Sequence, residues 1–146
     1  MKRLAILLAA LFQAGAAWAE FGQYVVHTLD GDSLTIRSTL GTLSVTAVDD
    51  AAFEVHYVED GVKQLPSFAL ASQDGGYAVA VEETDEHVAI RIPGLEAIVD
   101  KSPVRISFYR SGDPLVAEEH GYFAYETTRG FRFALDRGEK ILGGGQ

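Results

Sequence analysis

The chain has 146 residues, with 12 Lys+Arg against 21 Asp+Glu, no cysteine and 47% hydrophobic residues. That length predicts one domain of ordinary size and excludes a complete (β/α)8 barrel, which takes roughly 250 residues. The absence of cysteine excludes disulfides, thiolate zinc sites and Cys nucleophiles, and a net charge of −9 argues against nucleic acid, whose binders meet the phosphates with a basic face.

In chain order, the first segment reads as an export signal. Lys2 and Arg3 form a positive n-region, Leu4 to Phe12 an apolar h-region, and Ala17-Trp18-Ala19 a small-residue cleavage site before Glu20. The apolar stretch ends at Ala19 and is interrupted by Gln13, short of the roughly 20 residues that span a bilayer. The expected domains are therefore 1–19, a signal peptide, and 20–146, the mature domain. Cleavage removes two positive charges and no acid, leaving −11. Export would have permitted disulfides, and a domain of this size can rely on packing instead.

Beyond residue 40 apolar residues recur with period two. Leu43, Val45 and Ala47 alternate with Thr42, Ser44 and Thr46; the pattern returns at Phe53, Val55, Tyr57, at Tyr77, Val79, Val81 and at Val88, Ile90, Ile92. It continues at Val104, Ile106, Phe108 and at Phe131, Phe133, Leu135. Such alternation turns one side-chain set to a core and the other to water. Turn clusters separate the runs: DGD at 30–32, EDG at 59–61, QDGG at 73–76, ETDE at 83–86, PG at 93–94 and SGDP at 111–114. No window after residue 19 has a helical period. The fold class predicted is all-β, an antiparallel β-sandwich.

Side chains that could carry chemistry are present but poorly arranged for it. The acid pairs Asp49-Asp50, Glu59-Asp60, Glu82-Glu83 and Glu118-Glu119 invite comparison with glycosidases, which flank one bond with two carboxylates. Neighbours on a strand point to opposite faces, so solvated charges are expected. Asp30-Gly31-Asp32 lacks the further oxygen ligands of a calcium loop and reads as a hairpin turn. His27, His56, His87 and His120 have no metal-ligand spacing, and their near-regular separation has no flanking repeat. Ser67 has no elbow glycines, and Gly143-Gly144-Gly145 is not followed by the Lys-Ser/Thr of a phosphate loop. No catalytic, cofactor-binding or metal-ligating residue is assigned.

Three segments together carry a resemblance. FEVHYVEDG with LPSFAL has the form of a strand and turn. LEAIVDKSPVRISFYRSGDPLVAEE over 95–119 has a Lys-x-Pro step, an alternating strand, a Gly-Asp turn and L-V-x-E. GFRFALDRGEKILGGGQ over 130–146 has an apolar strand, an acidic turn and Gly-x-Gly. In this order they resemble the N-terminal β-sandwich of glycoside hydrolase family 31, the α-glucosidases, α-xylosidases and related transferases, over about residues 21–146. Gln146 stands where that family commonly has Glu.

The resemblance implies a galactose mutarotase-like supersandwich packed beside a catalytic barrel. In that family an aspartate nucleophile and an aspartate acid/base lie on the barrel, with no counterpart here. The chain is thus expected to be the non-catalytic front of an exported, periplasmic or secreted, α-glycosidase. Its partners would be carbohydrate, through the parent enzyme, and the barrel; no cofactor, nucleic acid or, after signal cleavage, membrane is expected. The flexible glycines after the apolar run agree with a chain leading onward. Two alternatives are a stand-alone exported carbohydrate-binding or interaction sandwich and, less favoured, a complete aldose-epimerase-like enzyme, which would need roughly twice this length.

Overall fold

The structure, a computed structural model, describes residues 21–63, 76–125, 127–135 and 137–139. Among these residues there are ten strands and no helix. Four of them, β1 (Tyr24–Asp30), β2 (Ser33–Ser38), β3 (Gly41–Asp49) and β4 (Ala52–Glu59), form one antiparallel meander. The other six are β5 (Ala80–Glu83), β6 (His87–Ile92), β7 (Leu95–Lys101), β8 (Val104–Arg110), β9 (Asp113–Tyr125) and β10 (Thr128–Ala134). They follow one another in a second meander, so every described neighbour within a sheet is also a neighbour in sequence.

Alternation dictates which face closes. In β3, Leu43, Val45 and Ala47 are buried while Thr42, Ser44 and Thr46 are half-buried. Leu34 pairs across the ladder with Val45, and Ile36 with Leu43. The second sheet answers with Val88 and Ile90 of β6, Val99 of β7, and Val104 and Ile106 of β8, all buried in one cluster with the first set. Each such side chain contributes about 1.5–3 kcal/mol on leaving water, so this apolar layer holds the two sheets face to face as a β-sandwich.

The turns follow their residues. Asp30-Gly31-Asp32 closes the β1–β2 hairpin with Gly31 at φ 60°, a left-handed conformation that glycine adopts without steric cost. Gly41 is required for a different reason: a Cβ there would run into the Val58 carbonyl and come within 2.8 Å of the Phe21 ring.

The structure departs from the sequence reading at three places. The run at Tyr77, Val79 and Val81 becomes a strand only from Ala80, extending to Glu83. The alternating runs leave out β1, β2, β7 and β9: β1 is an edge strand exposed along most of its length, so neither of its faces is uniformly apolar, whereas β2 does alternate, burying Leu34, Ile36 and Ser38. In β10 the alternation holds but the core does not cover it, because Phe131 and Phe133 remain 45% and 43% exposed. The signal segment 1–19, Ser67 and Gly143-Gly144-Gly145 lie outside the described residues.

Candidate functional site

The uncovered phenylalanines mark a cleft at one side of the sandwich. The first sheet ends at β4, whereas the second continues past it through β9 and β10. The inward side chains of β4 (Phe53, Val55 and Tyr57) therefore face Ile106 and Phe108 of β8, Glu118 of β9, and Phe131 and Phe133 of β10 around an open cleft of about 190 Å³. The aromatic contacts are continuous. The Phe21 ring meets Tyr57 edge-on at 4.8 Å and Tyr122 at 5.4 Å, Tyr57 and Tyr122 stack at 5.3 Å, and Phe131 lies 5.4 Å from Tyr57 and 6.2 Å from Phe133. Such pairs add about 0.5–1.5 kcal/mol each beyond their burial.

Two carboxylates are built into this side. Glu118, only 5% exposed, accepts through one oxygen, Oε2, both the Tyr57 hydroxyl at 2.8 Å and the Ile106 backbone N–H at 2.9 Å. Burial raises its pKa above the usual carboxylate range against the opposing effect of those donors. Burial and the facing Glu118 charge push the Tyr57 hydroxyl well above the tyrosine range, so it stays a donor. Glu59 accepts from the Tyr122 hydroxyl at 2.7 Å and pairs with Arg129 at 2.7 Å. Burial, then Glu59, push Tyr122 up to about 12.

Glu118 departs from the expectation that the acid pairs are solvated. It falls in the inward phase of β9 with Val116, while Glu119 beside it is exposed. The signal was available in the sequence: a carboxylate on the apolar phase of a strand needs donors, and Tyr57 and the Ile106 N–H supply them here. The other acids carry charge at the surface. Asp60 is held by both terminal nitrogens of Arg37 at 2.6 and 2.9 Å, Glu82 by Arg91 at 2.6 Å, and Glu83 by Lys101 at 2.6 Å. Asp49 and Asp50 are exposed at the β3–β4 turn, and Asp32 accepts the Gly76 N–H at 2.8 Å.

The histidines are not brought together. His27 meets the Tyr24 hydroxyl at 2.8 Å, His56 lies 3.2 Å from Glu54, His120 lies 3.9 Å from Glu119, and the His87 N–H donates to the Thr84 hydroxyl. Among the described residues no three His, Asp or Glu gather as for a metal. The side of the sandwich opposite the cleft is polar. There Tyr24 of β1 donates to Glu83 of β5 at 3.2 Å, with the Lys101 ammonium 4.6 Å from the Tyr24 ring centre. The Lys101 hydrogen bond is the largest of the contacts that lower the Glu83 pKa, with Tyr24 and His27 acting in the same direction.

The fold is shared with known enzymes. A GH31 dextranase from Flavobacterium johnsoniae, solved with isomaltotriose, superposes with a TM-score of 0.65 at 18% identity, over 73% of this chain and 14% of its own. The cycloalternan-forming enzyme of Listeria monocytogenes, solved with a pentasaccharide, matches at 0.51 and 21% over 66% of this chain and 9% of its own. The Listeria protein lmo2446, solved with glucose, matches at 0.53 and 22% over the same shares, 66% and 9%. The chain thus spans about a seventh or less of these neighbours. No curated protein matches its sequence significantly. The profile of the glycosyl hydrolase 31 N-terminal galactose mutarotase-like domain matches residues 42–146, from β3 onward. With well over half of its length matched, the chain belongs to that domain family.

Proposed function

We propose that this chain is the non-catalytic N-terminal sandwich of an exported α-glycosidase acting on α-linked glucosides or xylosides. On this reading it supports a catalytic barrel and helps to wall the substrate entrance. The observation that carries it is the family match over 42–146, on a fold that accounts for only 14% of the dextranase chain. The carboxylates agree. Glycosidic cleavage needs one raised and one ionised carboxyl group across a single bond, yet Glu118 is buried with Oε2 held by Tyr57 and Ile106, and Glu59 is held by Tyr122 and Arg129. Purified residues 20–146 should fold and show no turnover of aryl α-glycosides, dextran or isomaltotriose; measurable hydrolysis overturns the reading.

Export rests on Lys2, Arg3 and Ala17-Trp18-Ala19. It predicts a periplasmic or secreted product whose first residue, by N-terminal sequencing, is Glu20. An intact Met1 on the exported product, or retention of all product in the cytoplasm, contradicts it. A stand-alone carbohydrate-binding module is the second reading, favoured by the exposed rings of Phe131 and Phe133. Calorimetric titration with malto- and isomalto-oligosaccharides separates the two, since tight saturable binding by the isolated domain supports the second.

A further inference from the structure

We propose that the cleft between β4 and the β9–β10 hairpin is an anchor pocket for one cationic side chain, an arginine or lysine, on an apposed protein surface. Size is the first argument. At about 190 Å³ the cleft is smaller than the roughly 300–1,000 Å³ of small-molecule sites, and it suits the single buried anchor that dominates many protein interfaces. Charge is the second. Glu118 is 5% exposed, and both of its donors, Tyr57 and Ile106, bind Oε2. Among the described residues Oε1 has no partner, and it is not sealed away from solvent. Arg105 is close enough to favour the Glu118 charge, but its hydrogen bonds go to Asp100 and the Glu119 carbonyl, so Oε1 keeps room for a charged donor from the cleft side.

The walls select the same chemistry. Phe53, Tyr57, Phe108, Phe131 and Phe133 line the same cleft as Glu118, and a guanidinium can stack on such rings while donating to a carboxylate. The chain's net charge of −9 draws cations toward it and opposes a second copy. A sugar ring fits less well. It carries hydroxyls around its edge, and the lining offers it little beyond one open carboxylate oxygen, the Tyr57 hydroxyl being already committed to Glu118. The pocket's chemistry stands on this geometry alone; it rests on the proposed function only in that the apposed surface would be the rest of the enzyme.

The test is an NMR titration of residues 20–146 with N-acetyl-arginine methylamide and N-acetyl-lysine methylamide. N-acetyl-leucine methylamide and methyl α-glucoside serve as controls, and a cooperative melt first shows that the preparation is folded. The cationic probes should give saturable shifts at Tyr57, Phe131 and Phe133 that weaken as ionic strength rises. Affinity should fall at least tenfold in Glu118→Gln and also in Phe133→Ala, whose exposed ring can be removed without opening the core. Equal shifts with the leucine probe, saturation by the glucoside alone, or no saturable shift with any probe would overturn the proposal. A flat titration leaves the module reading intact, whereas hydrolysis by the same preparation removes that reading and leaves the pocket.

Discussion

The two sides of the sandwich are closed by different physics. On the β1 side the links are polar and largely exposed: Tyr24 of β1 to Glu83 of β5, Gln23 before β1 to Ser102 of the β7–β8 turn at 2.5 Å, and, within the second sheet, Lys101 to Glu83. Where β4 meets β9 and β10 it is aromatic and largely dry, with Phe21 packed against Tyr57 and Tyr122, and Glu118 beneath. Exposed ion pairs contribute about 0–1 kcal/mol because water competes for both charges, while a fully buried aromatic ring contributes several times that. The stronger side is also the unfinished one. It leaves Phe131 and Phe133 nearly half exposed, whereas the weaker side shows water a finished polar edge. Stability and incompleteness on the same side are what a module shaped to meet further structure would show.

The largest effect should come from the dry side. Phe21→Ala removes a ring that is 1% exposed and should cost about 3–5 kcal/mol, read by urea denaturation; a loss below 1 kcal/mol would mean that the ring cluster is not the stronger closure. Tyr57→Phe withdraws one of the two donors to a buried carboxylate and should cost about 1–3 kcal/mol.

Glu118 supplies a pH signature. Its folded pKa is raised, so its contribution is fully present below its unfolded pKa and is lost as pH rises through the folded value. The melting temperature of the wild type, relative to Glu118→Gln, should therefore fall as pH rises across that window and then level off. Parallel profiles would contradict the burial assigned to Glu118. The smallest effect belongs to the wet side, where Tyr24→Phe withdraws the exposed hydrogen bond to Glu83 and should cost about 1 kcal/mol or less. An effect as large as that of Phe21→Ala would abolish the contrast.

Much of the fold was legible in the sequence because half-buried strands write their burial as alternation. Leu43, Val45 and Ala47 are buried, as their spacing requires, and the turns at 30–32, 59–61 and 93–94 fall between strands. β1 was not legible, since an edge strand exposed on most positions has no apolar phase to show. The cleft was only partly legible. Phe131 and Phe133 alternate like core residues, and only the unequal strand numbers of the two sheets leave them uncovered. Glu118 was readable in phase but not in partner, because Tyr57 lies 61 residues earlier in the chain and meets it through the sandwich.

The central claim is that this domain folds without carrying a glycosidase active site, and the direct measurement is hydrolysis by the folded domain itself. Residues 20–146, shown by a cooperative melt to be folded, should release no aglycone from aryl α-glucosides or α-xylosides and no glucose from isomaltotriose. Turnover above background that is abolished by substituting Glu118 or Glu59 would place an active site in this sandwich and contradict the account.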